Sequence, residues 1–132
     1  MRISNAVSPV SAIKPVRKFL VEQQQKIGMK KGVVMDGRDI GTTVFPAAEV
    51  KLFMTADIAV RVERRFKEML GRQAIVTVEE VKNNLEMRDY IDSNRDISPL
   101  RKADDALVID NSNMSMEEQL AYALQLVGKL TA

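Results

Sequence analysis

The residues best equipped for chemistry in this sequence are arginines and aspartates. Arg88, Asp92 and Arg95 stand at i, i+4 and i+7, so on a helix all three project from one face. Asp89 sits beside them, about 100° round the helix from Arg88. Two guanidiniums flanking a carboxylate suit a ligand that carries both phosphate and hydroxyl or amino groups. Arginine grips phosphate oxygens in bidentate fashion, while aspartate accepts from a hydroxyl and holds the arginines in place. The same spacing also describes an exposed helix laced with ion pairs.

A second constellation is Asp36-Gly37-Arg38-Asp39-Ile40-Gly41-Thr42, which follows the apolar run Gly32-Val33-Val34-Met35. If that run is a strand of a parallel sheet, Arg38 and Asp39 fall at its carboxyl end, where open α/β sheets bind ligands. The flanking glycines let backbone approach a ligand closely. The competing reading is a charged turn. A third group, Arg61, Arg64 and Arg65, lies within two turns of one helix and leads toward Arg72. Such a patch stabilises a transferring phosphoryl group if it faces one, and is otherwise a solvated helical face.

Composition narrows the chemistry. The chain has 132 residues, of which 45% are hydrophobic and 29% charged, the balance of one globular domain. It contains no cysteine and no histidine, which removes disulfides, thiol nucleophiles, serine–histidine catalysis and the usual zinc sites. Chemistry must come from carboxylates, arginines, lysines, hydroxyls, backbone amides or a hard metal such as Mg²⁺ held largely by the substrate. With 20 basic and 18 acidic residues the net charge is +2, too mild to mark a nucleic-acid binder. Four Phe, two Tyr and no Trp leave little for a base-stacking platform. No apolar run reaches the roughly 20 residues of a membrane span and no signal-peptide pattern opens the chain, so the expectation is a cytoplasmic protein. The phosphate-loop pattern G-x-x-x-x-G-K-[ST] does not occur.

The elements that must position these residues follow from periodicity and punctuation. Residues 1–12, small and polar with Ser4, Ser8, Pro9 and Ser11, read as a loop. Lys14-Pro15 opens a helix whose apolar face is Val16, Phe19, Leu20 and Ile27, with Gly28 as its stop. Strands are expected at 32–36, 50–54 and 106–110. Asp57 is placed to cap a helix running to about Leu70, and residues 71–76 form a break. Thr77-Val78-Glu79-Glu80 and Ser115-Met116-Glu117-Glu118 both have the capping-box form, starting helices to about Asn94 and about Val127. Short apolar strands alternating with helices predict an α/β fold, a parallel sheet covered by helices.

Taken together, these segments resemble the bacterial cytidylate kinases. The resemblance is carried by Val7-Ser8, Val16-Arg17, the run from Asp36 to Thr42 with Val44-Phe45-Pro46, the run Arg88-Asp89-Tyr90-Ile91-Asp92-Ser93-Asn94-Arg95, and the closing stretch from Ala103 to Asp110. It covers nearly the whole chain in the right order. It implies a nucleoside-monophosphate kinase moving the γ-phosphoryl of ATP to CMP or dCMP with Mg²⁺. By that resemblance Ser8, Arg17, Arg38 and Asp39 contact the cytosine and its surroundings. Arg88 and Asp92 bind the sugar and phosphate side, Arg95 binds the phosphates, and Arg88 and Arg95 serve catalysis. Arg61, Arg64 and Arg65 open the mobile lid over ATP. No residue of the chain is implied as a direct metal ligand.

The family's first strand and phosphate loop have no counterpart here. The resemblance therefore implies an incomplete phosphate-loop kinase core. Residues 1–30 are a remnant of the monophosphate-binding domain, and residues 31–132 are the second half of the core, with the lid at about 61–95. Such a chain is expected to transfer phosphoryl groups negligibly alone. It is also expected to close the sheet by pairing the strands around Val34 and Leu52, or to cover the gap by self-association. The alternative is a non-catalytic nucleotide-monophosphate-binding or interaction module.

Overall fold

The structure, a computed structural model, describes residues 2–132; Met1 lies outside the described residues. Among the described residues five α-helices and two strands follow one another: α1 (Arg2–Ser11), α2 (Lys14–Gly28), β1 (Leu52–Thr55), α3 (Ile58–Gly71), α4 (Val78–Asn94), β2 (Leu107–Asp110) and α5 (Met116–Thr131). A single π turn, Ile40–Val44, stands between α2 and β1. The fold is mixed α/β with parallel strands, as the sequence predicts.

Both capping boxes form. The Thr77 hydroxyl accepts from the Glu80 N–H at 3.1 Å while the Glu80 carboxylate accepts from the Thr77 N–H at 2.7 Å. Ser115 and Glu118 repeat the pattern, and α5 runs on to Thr131, four residues beyond the predicted end. Asp57 precedes α3, but its side chain makes no capping bond. Its backbone N–H instead donates to Ser112 Oγ at 2.8 Å.

The apolar core lies between α3 and α4. Val62 and Met69 from one helix and Val81 and Leu85 from the other are buried, with Phe66, Ala74 and Val76 packed against them. β1 and β2 pair in parallel with Leu52 opposite Leu107 and Thr55 opposite Asp110. The two-helix crossover supplies the long connection that parallel pairing needs. Ile109 is fully buried on one side of this sheet, whereas Leu107 and Val108 remain exposed.

Two further sequence expectations fail. Residues 2–11 are a helix, not a loop, despite Pro9 removing a hydrogen bond near its end. Packing decides this: Ser4 Oγ donates to Asn84 Oδ1 at 3.0 Å, and Asn84 Nδ2 donates to Asn5 Oδ1 at 2.5 Å, fastening α1 to α4. The run at 32–36 is not a strand, and it does not pair with Leu52 to close the sheet. β1 takes β2 as its neighbour, so the 32–36 backbone finds no ladder partner, and the Val34 side chain stands fully exposed. The run begins at a sharp turn, where Lys31 and Gly32 both have positive φ, 56° and 63°. Gly28 has a separate role, because a Cβ there would overlap the Phe45 ring, so any larger residue would push that ring out of its place against the end of α2.

Candidate functional site

With the 32–36 run unpaired, the loop carrying Arg38 and Asp39 is fixed from its other side. The π turn closes with the Val44 N–H donating to the Asp39 carbonyl and the Phe45 N–H to the Ile40 carbonyl, at 3.2 and 2.8 Å. Gln25 of α2 donates to the Val44 carbonyl at 3.1 Å, and the Val44 side chain is buried. This anchoring turns Asp39 inward until it is 2% exposed.

Around it the molecule forms a cavity of about 170 Å³. Val7, Ser8 and Ser11 come from α1, Arg17 and Gln24 from α2, Gly37, Arg38 and Asp39 from the loop, and Arg88, Asp92 and Arg95 from α4 and its end. Every residue named above as a substrate contact therefore lines one cavity. Arg95 arrives differently from the expected helical face, since α4 ends at Asn94 and Arg95 is already extended. The chain then folds back through Ser98, at φ 52°, so that Arg95 Nε donates to the Ser98 carbonyl at 2.6 Å.

The charges are unevenly matched. Four arginines face two aspartates, a formal excess of two positive charges. Arg17 Nε lies 3.7 Å from Asp39 Oδ2, and Arg95 Nη2 lies 4.0 Å from Asp39 Oδ1 and its Nη1 3.6 Å from Asp92 Oδ1. Arg38 Nε lies 3.3 Å from Asp92 Oδ2. Burial pushes the Arg88 guanidinium below its ordinary pKa, and Arg38 adds to this. Burial acts likewise on Arg95, against the opposing pull of Asp39. Five buried polar atoms have no hydrogen-bond partner among the described residues: Ser8 Oγ, Arg17 Nε, Asp39 Oδ2, Arg88 Nε and Arg95 Nη2. All five belong to the wall of this one cavity, where buried groups are otherwise almost always paired.

The three lid arginines separate. Arg61 turns to Asp89 with bonds of 2.6 and 3.1 Å. Arg64 donates to the Asn111 side chain and carbonyl at 2.8 and 2.6 Å, tying α3 to the segment after β2. Arg65 pairs with Glu68 and lines a second, larger cavity of about 630 Å³, together with Arg2, Arg72 and Arg88. Val7 and Arg88 belong to both cavities. Sequence reasoning missed three contributors. Gln24 sits at i+7 from Arg17 and Ser11 at i+3 from Ser8, spacings that could have found them. Asp89, noted only as a neighbour, accepts from both Arg38 and Arg61. Burial favours its neutral form, but the bonds from Arg61 and Arg38 outweigh this and hold its carboxyl below the usual range.

Among the described residues no group of three or more acidic side chains gathers to hold a metal ion. Among the described residues no helix is long and apolar enough to cross a membrane.

Comparison with known proteins shows the family. The family model described as cytidylate kinase matches residues 1–129. The cytidylate kinase of Bacteroides thetaiotaomicron is 52% identical over 130 residues, which cover 98% of this chain and 57% of the relative. That of Flavobacterium psychrophilum is 53% identical over 130 residues, 98% of this chain and 58% of the relative. That of Porphyromonas gingivalis is 49% identical over 132 residues, 99% of this chain and 57% of the relative. The chain thus spans little more than half the length of the curated relatives it matches. With the family model matching nearly the whole chain and relatives about half identical to it, the chain belongs to the cytidylate kinase family.

Proposed function

We propose that this chain binds CMP or dCMP in the arginine–aspartate cavity and is the acceptor-binding portion of an enzyme that moves the γ-phosphoryl of ATP onto that nucleotide. The observation that carries the reading is the set of five unpartnered buried polar atoms on one cavity wall with excess positive charge. A ligand with one phosphate and several hydrogen-bonding groups would satisfy them together. The cavity alone is smaller than the roughly 300–1,000 Å³ of typical ligand sites, but its larger neighbour begins at Arg88. A nucleotide would therefore lie with its base among Ser8, Arg17, Arg38 and Asp39. Its sugar would lie by Asp92, and its phosphate between Arg88 and Arg95, pointing toward the larger space.

In this reading Arg88 and Arg95 act on the reaction by neutralising charge as the phosphoryl group transfers. Arg65, in the lid of about residues 61–95, would act from the lining of the larger cavity that it shares with Arg88. Arg61 and Arg64 hold α3 rather than face the ligand. Mg²⁺ would arrive with ATP and neutralise its phosphates. Residues 1–30 complete the monophosphate side, and residues 31–132 supply the remaining half of the core.

The chain carries no glycine-rich phosphate loop, so by itself it is expected to bind without turnover. Calorimetry with CMP, cytidine and ATP tests the binding, and a coupled assay with ATP and CMP tests turnover. CMP should bind more tightly than cytidine, and Arg88→Ala should weaken CMP about tenfold or more with little effect on cytidine. Equal affinity for CMP and cytidine would refute the phosphate assignment. Robust turnover by the purified chain would refute the expected inactivity.

A further inference from the structure

Asp89 lines neither cavity. Its Oδ1 accepts from Arg38 Nη1 at 2.7 Å and from Arg61 Nη2 at 3.1 Å, and its Oδ2 accepts from Arg61 Nη1 at 2.6 Å. Arg38 belongs to the cavity wall; Arg61 belongs to α3. Among the described residues no other side-chain hydrogen bond or ion pair joins α3 to α4. One carboxylate oxygen is thus shared by a guanidinium of the pocket and a guanidinium of the neighbouring helix. Arg38 is in addition held by Asp92, so it has somewhere to turn when a ligand enters.

We propose that Asp89 is a positioning residue that couples occupation of the cavity to the hold on α3, through competition between Arg38 and Arg61 for its Oδ1. This rests on reading the cavity as a ligand site. A ligand that draws Arg38 inward leaves Oδ1 to Arg61 alone. The Arg61–Asp89 pair is already two-pronged, and its longer prong, the 3.1 Å bond to Oδ1, is then free to shorten once Arg38 no longer shares that oxygen. The helix carrying Arg61 and Arg65 tightens onto α4 when the pocket fills. The apolar contact of Val62 and Met69 with Val81 and Leu85 keeps the two helices together either way, so a variant at Asp89 retains the fold.

Hydrogen exchange on the full chain tests this, with and without saturating CMP. In the parent chain CMP should slow the amides of the first two turns of α3 about fivefold or more, in keeping with ordinary coupling between sites. In D89N, with CMP still saturating, the response should vanish, and D89E should restore it. A merely structural Asp89 would change exchange in the ligand-free D89N protein and leave the response to CMP intact, which would overturn the proposal. A ligand-free arm separates this from the nucleotide assignment. R38Q should slow α3 exchange in the parent background by freeing Oδ1 for Arg61, and should have no such effect in the D89N background. If CMP fails to bind, the reading of the cavity falls while this arm still decides the coupling. An R38Q effect equal in both backgrounds, or absent from the parent, would sink the coupling itself.

Discussion

Arg17 Nε and Asp39 Oδ2 face each other across 3.7 Å, close enough for ionic attraction and too far for a hydrogen bond, and neither atom has another partner. Both are buried, so the unmade bond is not supplied by bulk water. A planar group with a donor beside an acceptor would satisfy both atoms at once, donating to the aspartate and accepting from the arginine. That geometry supports placing a nucleobase edge between them.

Asp39 is the common counter-charge of Arg17 and Arg95, and its removal leaves two buried guanidiniums less neutralised. Asp39→Asn should lower folding stability by about 3 kcal/mol, the usual cost of breaking a buried pair from one side. Urea denaturation of the two proteins measures it. A loss below about 1 kcal/mol would mean that the carboxylate is dispensable to the fold.

Stability should fall in acid in a way that depends on Asp89. Its folded pKa is lowered against the effect of burial by the Arg61 and Arg38 bonds. Such a group binds more protons unfolded than folded, so its contribution is complete above the ordinary carboxylate value of about 3.9 and is lost as pH falls through the lower folded value. Denaturation midpoints measured from about pH 6 downward should drop less steeply below about pH 4 in D89N than in the parent chain. Parallel curves would show that Asp89 does not contribute to the acid limb.

Asn84 fastens α1 to α4 through Ser4 and Asn5, and α1 brings Ser8 to the cavity. Asn84→Ala should cost about 2 kcal/mol, because it removes two hydrogen bonds of a buried side chain, each worth about 1 kcal/mol. It should also weaken CMP binding, though Asn84 lines no cavity. Calorimetry of the variant would decide, and unchanged affinity would mean that α1 is held by its apolar contacts alone.

Val33, Val34, Val108, Leu120 and Leu124 are each exposed. Exposed apolar side chains in this number favour association, and a second copy of the chain is the partner we propose for them. Light scattering after size exclusion should give a mass above that of the 14.8 kDa chain at high concentration. Val34→Asp should shift it downward. A clean monomer at every concentration would rule this partner out.

What was legible in the sequence was local. Thr77 and Ser115 announced their helices because a capping box is written within four residues. Pro15 and Gly28 bounded α2 for the same reason. The 32–36 run misled because strand identity depends on a partner elsewhere, and β1 pairs with Leu107–Asp110 instead. Residues 2–11 misled in the opposite sense, as their helix is fixed by Asn84, some 80 residues on. The site was legible to the extent that residue types and motif order disclose it. Its gathering into one cavity was legible only through the resemblance, since Ser8, Arg38 and Arg88 share no local pattern. Asp89 escaped because its two partners lie 51 and 28 residues away. Arg61, Arg64 and Arg65, at i, i+3 and i+4, share one helical face, and what the sequence could not disclose is their partners, Asp89, Asn111 and Glu68, two of which lie on other elements.

The exposed, unpaired run that starts at the left-handed turn of Lys31 and Gly32 has a further consequence. It is the one covalent link between α1–α2 and everything after, yet α1 is fastened to α4 by Asn84, and α2 to the π turn by Gln25 and to Asp39 by Arg17. A protease nick beside Val34 would cut the chain without opening the cavity. The two peptides, made separately and mixed, are the natural halves from which to rebuild the site.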